Sequence, residues 1–333
     1  MAKVNVSELD IFYISYDEPN AEEHWADLLN KVPWAKRVHG VKGFDAAHKE
    51  CAKQSETDRF ITVDGDNIVM DDFFDQELDF PEKDNDGNDI SQSIFSWNAK
   101  NILNGLVYGN GGLKCWPKEY TLGINTHEAA TDGEGMEFCW KLNYIQMNDI
   151  FSEVHQTASP FQAFRAGFRE GVKLSLDQGA RVGADVFKDK IWYGNYNRLN
   201  VWCNVGTDID NGLWAIYGAR LGHYKTVLTD WDTNLISDYD WFKDFFYNEV
   251  LMNFNIEPTD KCKFTKAEWN NDLLDSAVCG IGKEINEKVN SMMLFDPEVT
   301  SSEFFKTTFV NPKRWGAMVT EQQIQRLLEE GLL

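Results

Sequence analysis

Between residues 9 and 67, short apolar runs alternate with helix-like segments, and the last run ends in an acidic turn. Residues 9–16 (LDIFYISY) are β-rich and of strand length, and they stop at Asp17-Glu18-Pro19-Asn20. Asn20 has the chemistry of a helix cap, and Glu23 three residues later completes a capping-box pattern. The helix that follows turns Trp25, Leu28 and Leu29 inward and ends by Pro33. Residues 36–41 (KRVHGV) read as a second short strand and residues 45–55 (DAAHKECAKQS) as an Ala-rich helix. Residues 59–63 (RFITV) read as a buried strand running into Asp64-Gly65-Asp66-Asn67. This order, with short connections, predicts a parallel sheet flanked by helices.

The chain has 333 residues, more than the ~250 at which single cores stop growing, so two domains are expected. Residues 71–89 form an acidic stretch with a turn at Asp86-Gly87-Asn88. Its KDNDGND segment is not a calcium loop, because the glycine is misplaced and no glutamate follows at the required offset. Further sheet is expected over 93–97 and 106–118, and strand and turn over 141–155, ending in His155. Ser159-Pro160 then reads as a cap with proline in the first helical position. Helices are expected at 161–176, 211–221, 240–254, 266–281 and 321–330. The expected division is an α/β part, 1–157, and a mostly helical part, 158–333.

Charge limits the partners. Lys and Arg number 32 against 54 Asp and Glu, a net charge of −22 that repels polyanions unless basic groups gather locally. No run approaches the ~18 apolar residues of a membrane span, and MAKVNVSELD lacks a signal-peptide pattern. A soluble, cytoplasmic protein with no membrane partner is the expectation. The six cysteines are scattered singly with no CxxC spacing, which argues against a thiolate zinc site.

Asp64-Gly65-Asp66 carries the clearest chemistry. Ligands of open α/β sheets sit at the carboxyl ends of strands. Two carboxylates one residue apart can share a hard divalent cation that in turn holds a nucleotide diphosphate. A plain Asp-Gly turn is the alternative.

The run GVKGFDAAHKECAKQSETDRFITVDGDN resembles the nucleotide-binding half of a GT-A fold glycosyltransferase, where an Ala-rich helix precedes a strand ending in a D-x-D motif. ISYDEPN resembles the first loop of that family, and YGNGGLKCWPK its Gly-rich acceptor-side motif. The resemblance covers about residues 9–157. SPFQAFRAGFREG and VWCNVGTDIDNGLWAIYGARLG are similar to glycosyltransferase-like proteins of tailed bacteriophages, some of which modify hydroxymethylated pyrimidines in phage DNA.

The resemblance implies a Rossmann-like GT-A sheet, a nucleoside-diphosphate-sugar donor (a UDP-sugar favoured), and Mn2+ or Mg2+. It implies Asp66 as metal ligand, Asp64 as ribose or metal contact, and Tyr16 and Asp17 as base or ribose contacts. Lys42 and Gly43 lie where the nucleotide phosphates would approach, and Gly111 and Gly112 belong to the Gly-rich turn. His155 is the candidate third metal ligand, with His127 its competitor. Asp132 and Glu134 stand where the family has its acidic base pair, here split by Gly133, so an inverting or retaining course stays open. The preferred acceptor is hydroxymethylcytosine in DNA.

Two further patterns could serve ligands. Arg165, Arg169 and Lys173 recur every four residues as a basic stripe for phosphate, or else as an ion-paired helix face. Trp97, Tyr108, Trp116, Trp192 and Tyr193 could stack on a sugar or an extruded base, or be core. The competing functions are a transferase acting on a glycan or protein, which the acidity favours, and a non-catalytic phage protein with a GT-A core. A nucleotidyltransferase would carry a Gly-rich basic loop after the first strand, where YISYDEPNAEE is acidic.

Overall fold

The structure, a computed structural model, describes residues 3–108, 112–126, 142–254, 271–298 and 302. The chain forms two compact units, residues 1–102 with 108–156 and residues 103–107 with 157–333.

The first unit runs β1 (Val4–Asn5), β2 (Asp10–Ser15), α1 (Ala21–Lys31), β3 (Lys36–His39), α2 (Phe44–Gln54) and β4 (Arg59–Asp64). It continues with β5 (Asn67–Val69), β6 (Glu77–Leu78), β7 (Ile94–Asn101), β8 (Leu113–Pro117), α3 (Lys118–Leu122) and β9 (Tyr144–Val154). The alternation read over residues 9–67 is present. Seven strands form one sheet in the order β3-β2-β4-β8-β7-β9-β5, while β1 and β6 pair separately.

This sheet is mixed, which corrects the expectation of a mostly parallel one. Pairs β2–β3, β2–β4 and β7–β9 are parallel; β4–β8, β7–β8 and β5–β9 are antiparallel. Parallel neighbours need a crossover of a dozen or so residues, usually helical. Helices α1 and α2 supply that around β2, β3 and β4, whereas β5 follows β4 after only Gly65 and Asp66.

Alternating residues bury both faces of the central strands. Ile11, Tyr13, Ile61, Val63, Leu113 and Cys115 pack with Leu28 of α1, while Phe12, Phe60 and Trp116 pack with Cys51 and Ala52 of α2. The helices therefore cover opposite faces. The Asn20/Glu23 capping box does not form. Asn20 caps nothing with its side chain and instead donates Nδ2 to the His155 carbonyl at 2.9 Å. His24, 3% exposed, turns inward with Leu28, whereas Trp25 and Leu29 are half-buried.

The second unit contains α4 (Pro160–Lys173), β10 (Leu176–Asp177), β11 (Ala180–Arg181), α5 (Phe187–Lys190), α6 (Tyr193–Asn204), α7 (Gly212–Leu228), α8 (Tyr239–Phe245) and α9 (Asn271–Lys288). Ser159 caps α4 as expected, its hydroxyl accepting from Gln162 N at 3.1 Å with Pro160 in the first turn. Helices α4 and α7 meet backbone to backbone through glycines. A Cβ on Gly218 would lie 2.3 Å from Phe164 O, and one on Gly222 would lie 2.4 Å from Phe168 O. Helix α6 was not anticipated, and the helix expected over 240–254 changes pitch into a π turn at Phe246–Val250. The expected helix at 321–330 lies outside the described residues.

Candidate functional site

Strand β4 delivers Asp64 at its carboxyl end, and the turn that follows is fixed from below by buried polar side chains. The Tyr13 hydroxyl lies 2.8 Å from Gly65 O and 2.9 Å from Ala21 O. His24 Nδ1 lies 3.1 Å from Gly65 O and its Nε2 lies 3.3 Å from Asn20 Nδ2. An amide nitrogen donates, so Nε2 accepts and Nδ1 carries the proton. Burial and the neighbouring His155 both hold the His24 pKa down, in keeping with that neutral ring.

Gly65 sits close against the first loop. A Cβ there would lie 2.8 Å from Glu18 Oε2 and 3.2 Å from Ile14 O. Glu18 accepts from Tyr16 N at 2.8 Å, so the first loop folds its carboxylate against the turn. Burial raises the Glu18 pKa, and the charges of Asp66 and Asp64 add to the rise. Glu18 lies within the ISYDEPN segment, but the resemblance assigns it no role.

Asp66 is half-buried and anchored on both oxygens. Asn67 Nδ2 donates to Oδ1 at 2.7 Å and Gln156 Nε2 to Oδ2 at 2.8 Å. Burial raises its pKa, Asp64 raises it further, and the two amide bonds work against the rise. Asn67, 3% exposed, has its Oδ1 buried without a hydrogen-bond partner.

Asp64 faces a different neighbour. Lys114 of β8, 2% exposed, places Nζ 3.7 Å from Asp64 Oδ2. Gly112, at φ +74°, accepts from Asp64 N through its carbonyl at 3.0 Å. A Cβ on Gly112 would lie 2.4 Å from Asn67 Nδ2 and 2.9 Å from Asp64 Cβ, so the Gly-rich turn meets the acidic turn directly. Lys114 was legible in principle, since period-2 alternation in LKCWP puts a charge on a buried face.

His155 follows β9 directly and its backbone N donates to Asp66 O at 2.7 Å. Its ring meets His24 edge-on at 5.3 Å and its Nε2 lies 3.4 Å from Glu153. Among the described residues no three His, Cys, Asp or Glu side chains are gathered to hold a metal ion. Carboxylate oxygens such as those of Asp64 and Asp66 are the donor type that Mg2+ and Mn2+ take, while the ring of His155, the expected third ligand, meets His24 and Glu153.

Tyr16 and Asp17 are exposed beside Glu18, and Lys42 is exposed just before Gly43, which starts α2 at φ +104°. His48 of α2 is core: its ring lies 4.1 Å from Phe44 and 4.4 Å from Trp116. Gly111, His127, Asp132 and Glu134 lie outside the described residues. In the second unit Arg165 stacks over Tyr239 and Phe242, Lys173 pairs with Glu170 at 3.4 Å, and Arg169 is half-buried. Trp97 and Trp116 are core residues, 2% and 0% exposed, not stacking platforms, and Trp116 Nε1 donates to Thr62 Oγ1. Tyr108 is half-buried, while Trp192 and Tyr193 are exposed. No helix of the described residues is long and apolar enough to cross a membrane.

Comparison with protein-family models, curated proteins and solved structures finds no match to this chain.

Proposed function

We propose that the chain is a metal-dependent glycosyltransferase that moves a sugar from a nucleoside-diphosphate sugar to a hydroxyl acceptor. The observation that carries this reading is the Asp64-Gly65-Asp66 turn at the carboxyl end of β4, met by the first loop through Glu18 and by the Gly-rich segment through Gly112. Asp66 and Asp64 would hold the cation, and Mn2+ or Mg2+ would supply charge neutralisation for the departing diphosphate. Asn67 and Gln156 orient the Asp66 carboxylate by donating to its two oxygens. Lys114 holds Asp64 from below. Tyr16 and Asp17 are proposed to meet the base or ribose, Lys42 the phosphates, and Asp132 or Glu134 to take the acceptor proton.

Hydroxymethylcytosine in DNA is the acceptor favoured by the resemblance to phage enzymes. A glycan or protein acceptor is the second reading, favoured by the net charge of −22. The test incubates the intact protein and Mn2+ with a panel of labelled sugar nucleotides and, as separate acceptors, duplex DNA carrying hydroxymethylcytosine, the same duplex with plain cytosine, and a panel of glycans and proteins. Transfer to the hydroxymethylated duplex alone supports the DNA reading. Transfer only to a glycan or protein supports the second, and no turnover of any donor overturns both.

A further inference from the structure

We propose that the groove walled by α6, α7 and α9 receives residues 292–295 of a second copy of this chain, giving a segment-exchanged dimer. Neither donor nor metal is involved, so the dimer stands or falls apart from the transferase reading.

In a folded chain most backbone polar groups are met by other backbone groups. Residues 293–295 are met by side chains instead, on all six of their N–H and C=O groups. Met293 N donates to Asn200 Oδ1 at 3.4 Å, and its carbonyl accepts from Asn204 Nδ2 at 2.9 Å. Leu294 N donates to Asn286 Oδ1 at 3.0 Å, and its carbonyl accepts from Asn286 Nδ2 at 2.7 Å. Phe295 N donates to Asn204 Oδ1 at 2.9 Å, and its carbonyl accepts from Arg220 Nη2 at 2.5 Å. Asn200, Asn204 and Arg220 are buried, whereas Asn286 is exposed. Burial alternates along the segment: Met292 and Leu294 are buried, Met293 and Phe295 half-buried. Main-chain bonds joined to seats for alternate side chains are the means by which proteins hold a peptide from another chain. Every wall residue precedes residue 289, so one copy carries a complete groove for the segment of another.

A tight hinge returns the segment to its own groove. Helix α9 ends at Lys288, and Ser291 turns the chain at φ +59°, a left-handed conformation that strains a serine. The Tyr196 hydroxyl donates to the Ser291 carbonyl, and Asn290 N donates to Ala184 O at 2.8 Å. When the hinge opens, Ser291 relaxes and the segment can make the same six bonds on a neighbour. Buried Ser302 travels with it; its hydroxyl accepts from Gly206 N at 2.6 Å and donates to Asp208 Oδ1 at 2.8 Å. Closed and exchanged forms then differ chiefly in hinge strain and in the entropy of association, and a short strained hinge invites exchange. The net charge of −22 opposes the approach of two copies, so the dimer should strengthen with salt.

The test follows the intact protein by light scattering on a sizing column, over a concentration series at low and moderate salt. Wild type, Ser291→Gly and Ser291→Pro are compared. Glycine takes a positive φ without strain and should weaken dimerisation about tenfold. Proline fixes φ at about −65°, forbids the closed turn and should strengthen dimerisation by about tenfold or more. A dimer built on any other surface would be indifferent to residue 291. Far-UV circular dichroism and Tm report whether each variant folds; if Ser291→Pro does not, wild type against Ser291→Gly decides. Folded proteins that stay monomeric throughout overturn the proposal. So does a dimer whose strength the substitutions at residue 291 leave unchanged.

Discussion

His48 is a titratable residue that serves the core. It lies in the helix that precedes the acidic turn, yet its ring is 2% exposed between Phe44 and Trp116, with Nδ1 2.8 Å from Phe44 O. Burial drives its pKa down from 6.5 to about 4. Between those values the unfolded chain binds a proton that the folded chain refuses, so stability is complete above the upper value and falls as the pH drops to the lower one. At about 1.4 kcal/mol per unit the loss is roughly 3 kcal/mol at its limit. His48→Phe, which keeps a flat ring in the slot, should flatten the acid limb of urea denaturation curves taken between pH 7 and pH 4; an unchanged limb would contradict the burial. Asp66 and Glu18 act in the opposite sense. Their folded pKa values are raised, so their ionisation costs stability as pH rises past the ordinary carboxylate range. Glu18→Gln should therefore raise Tm at pH 7 and let Asp66 ionise at lower pH, extending cation binding towards acid. A lower Tm and an unmoved acid limit would show that Glu18 serves the fold rather than opposing it.

At the level of elements, what the sequence made legible follows its local chemistry. The strand RFITV, the Ser159-Pro160 helix start and the DGDN turn depend on neighbours in the chain, and all three appear. The failures share one cause, which is competition from distant residues. Asn20 has cap chemistry, but the His155 carbonyl, far along the chain, takes its amide. The direction of β8 and β5 is settled by which strand each finds, which no local pattern states. The seam between α4 and α7 was likewise hidden, because glycines at helical spacing read as weak helix formers until their partner helix is known. That seam makes a paired test. Gly218→Ala forces a methyl against Phe164 O and should destabilise by about 1–3 kcal/mol or more. Gly280→Ala in α9 meets nothing within 4 Å and should stabilise by roughly 0.5–1 kcal/mol. Equal Tm shifts in the two variants would deny the close approach.

For the whole molecule, the acidity read from composition and the acidic turn read from the strand pattern bear on each other. Charge of −22 makes a polyanionic acceptor depend on local cations, so any DNA affinity should fall steeply with salt. The same acidity concentrates divalent cations near the protein, and Asp64 and Asp66 are where the fold brings two carboxylates to the end of a buried strand. Binding of a cation there should be cooperative with a nucleoside diphosphate, since each brings charge the other lacks. The direct measurement is Mn2+ titration of the intact protein by electron paramagnetic resonance, with and without UDP, for wild type and for Asp66→Ala of matched Tm. The wild-type site is expected to tighten when UDP is present and to be lost in Asp66→Ala. Equal Mn2+ binding by the two proteins, with UDP making no difference to either, would contradict it.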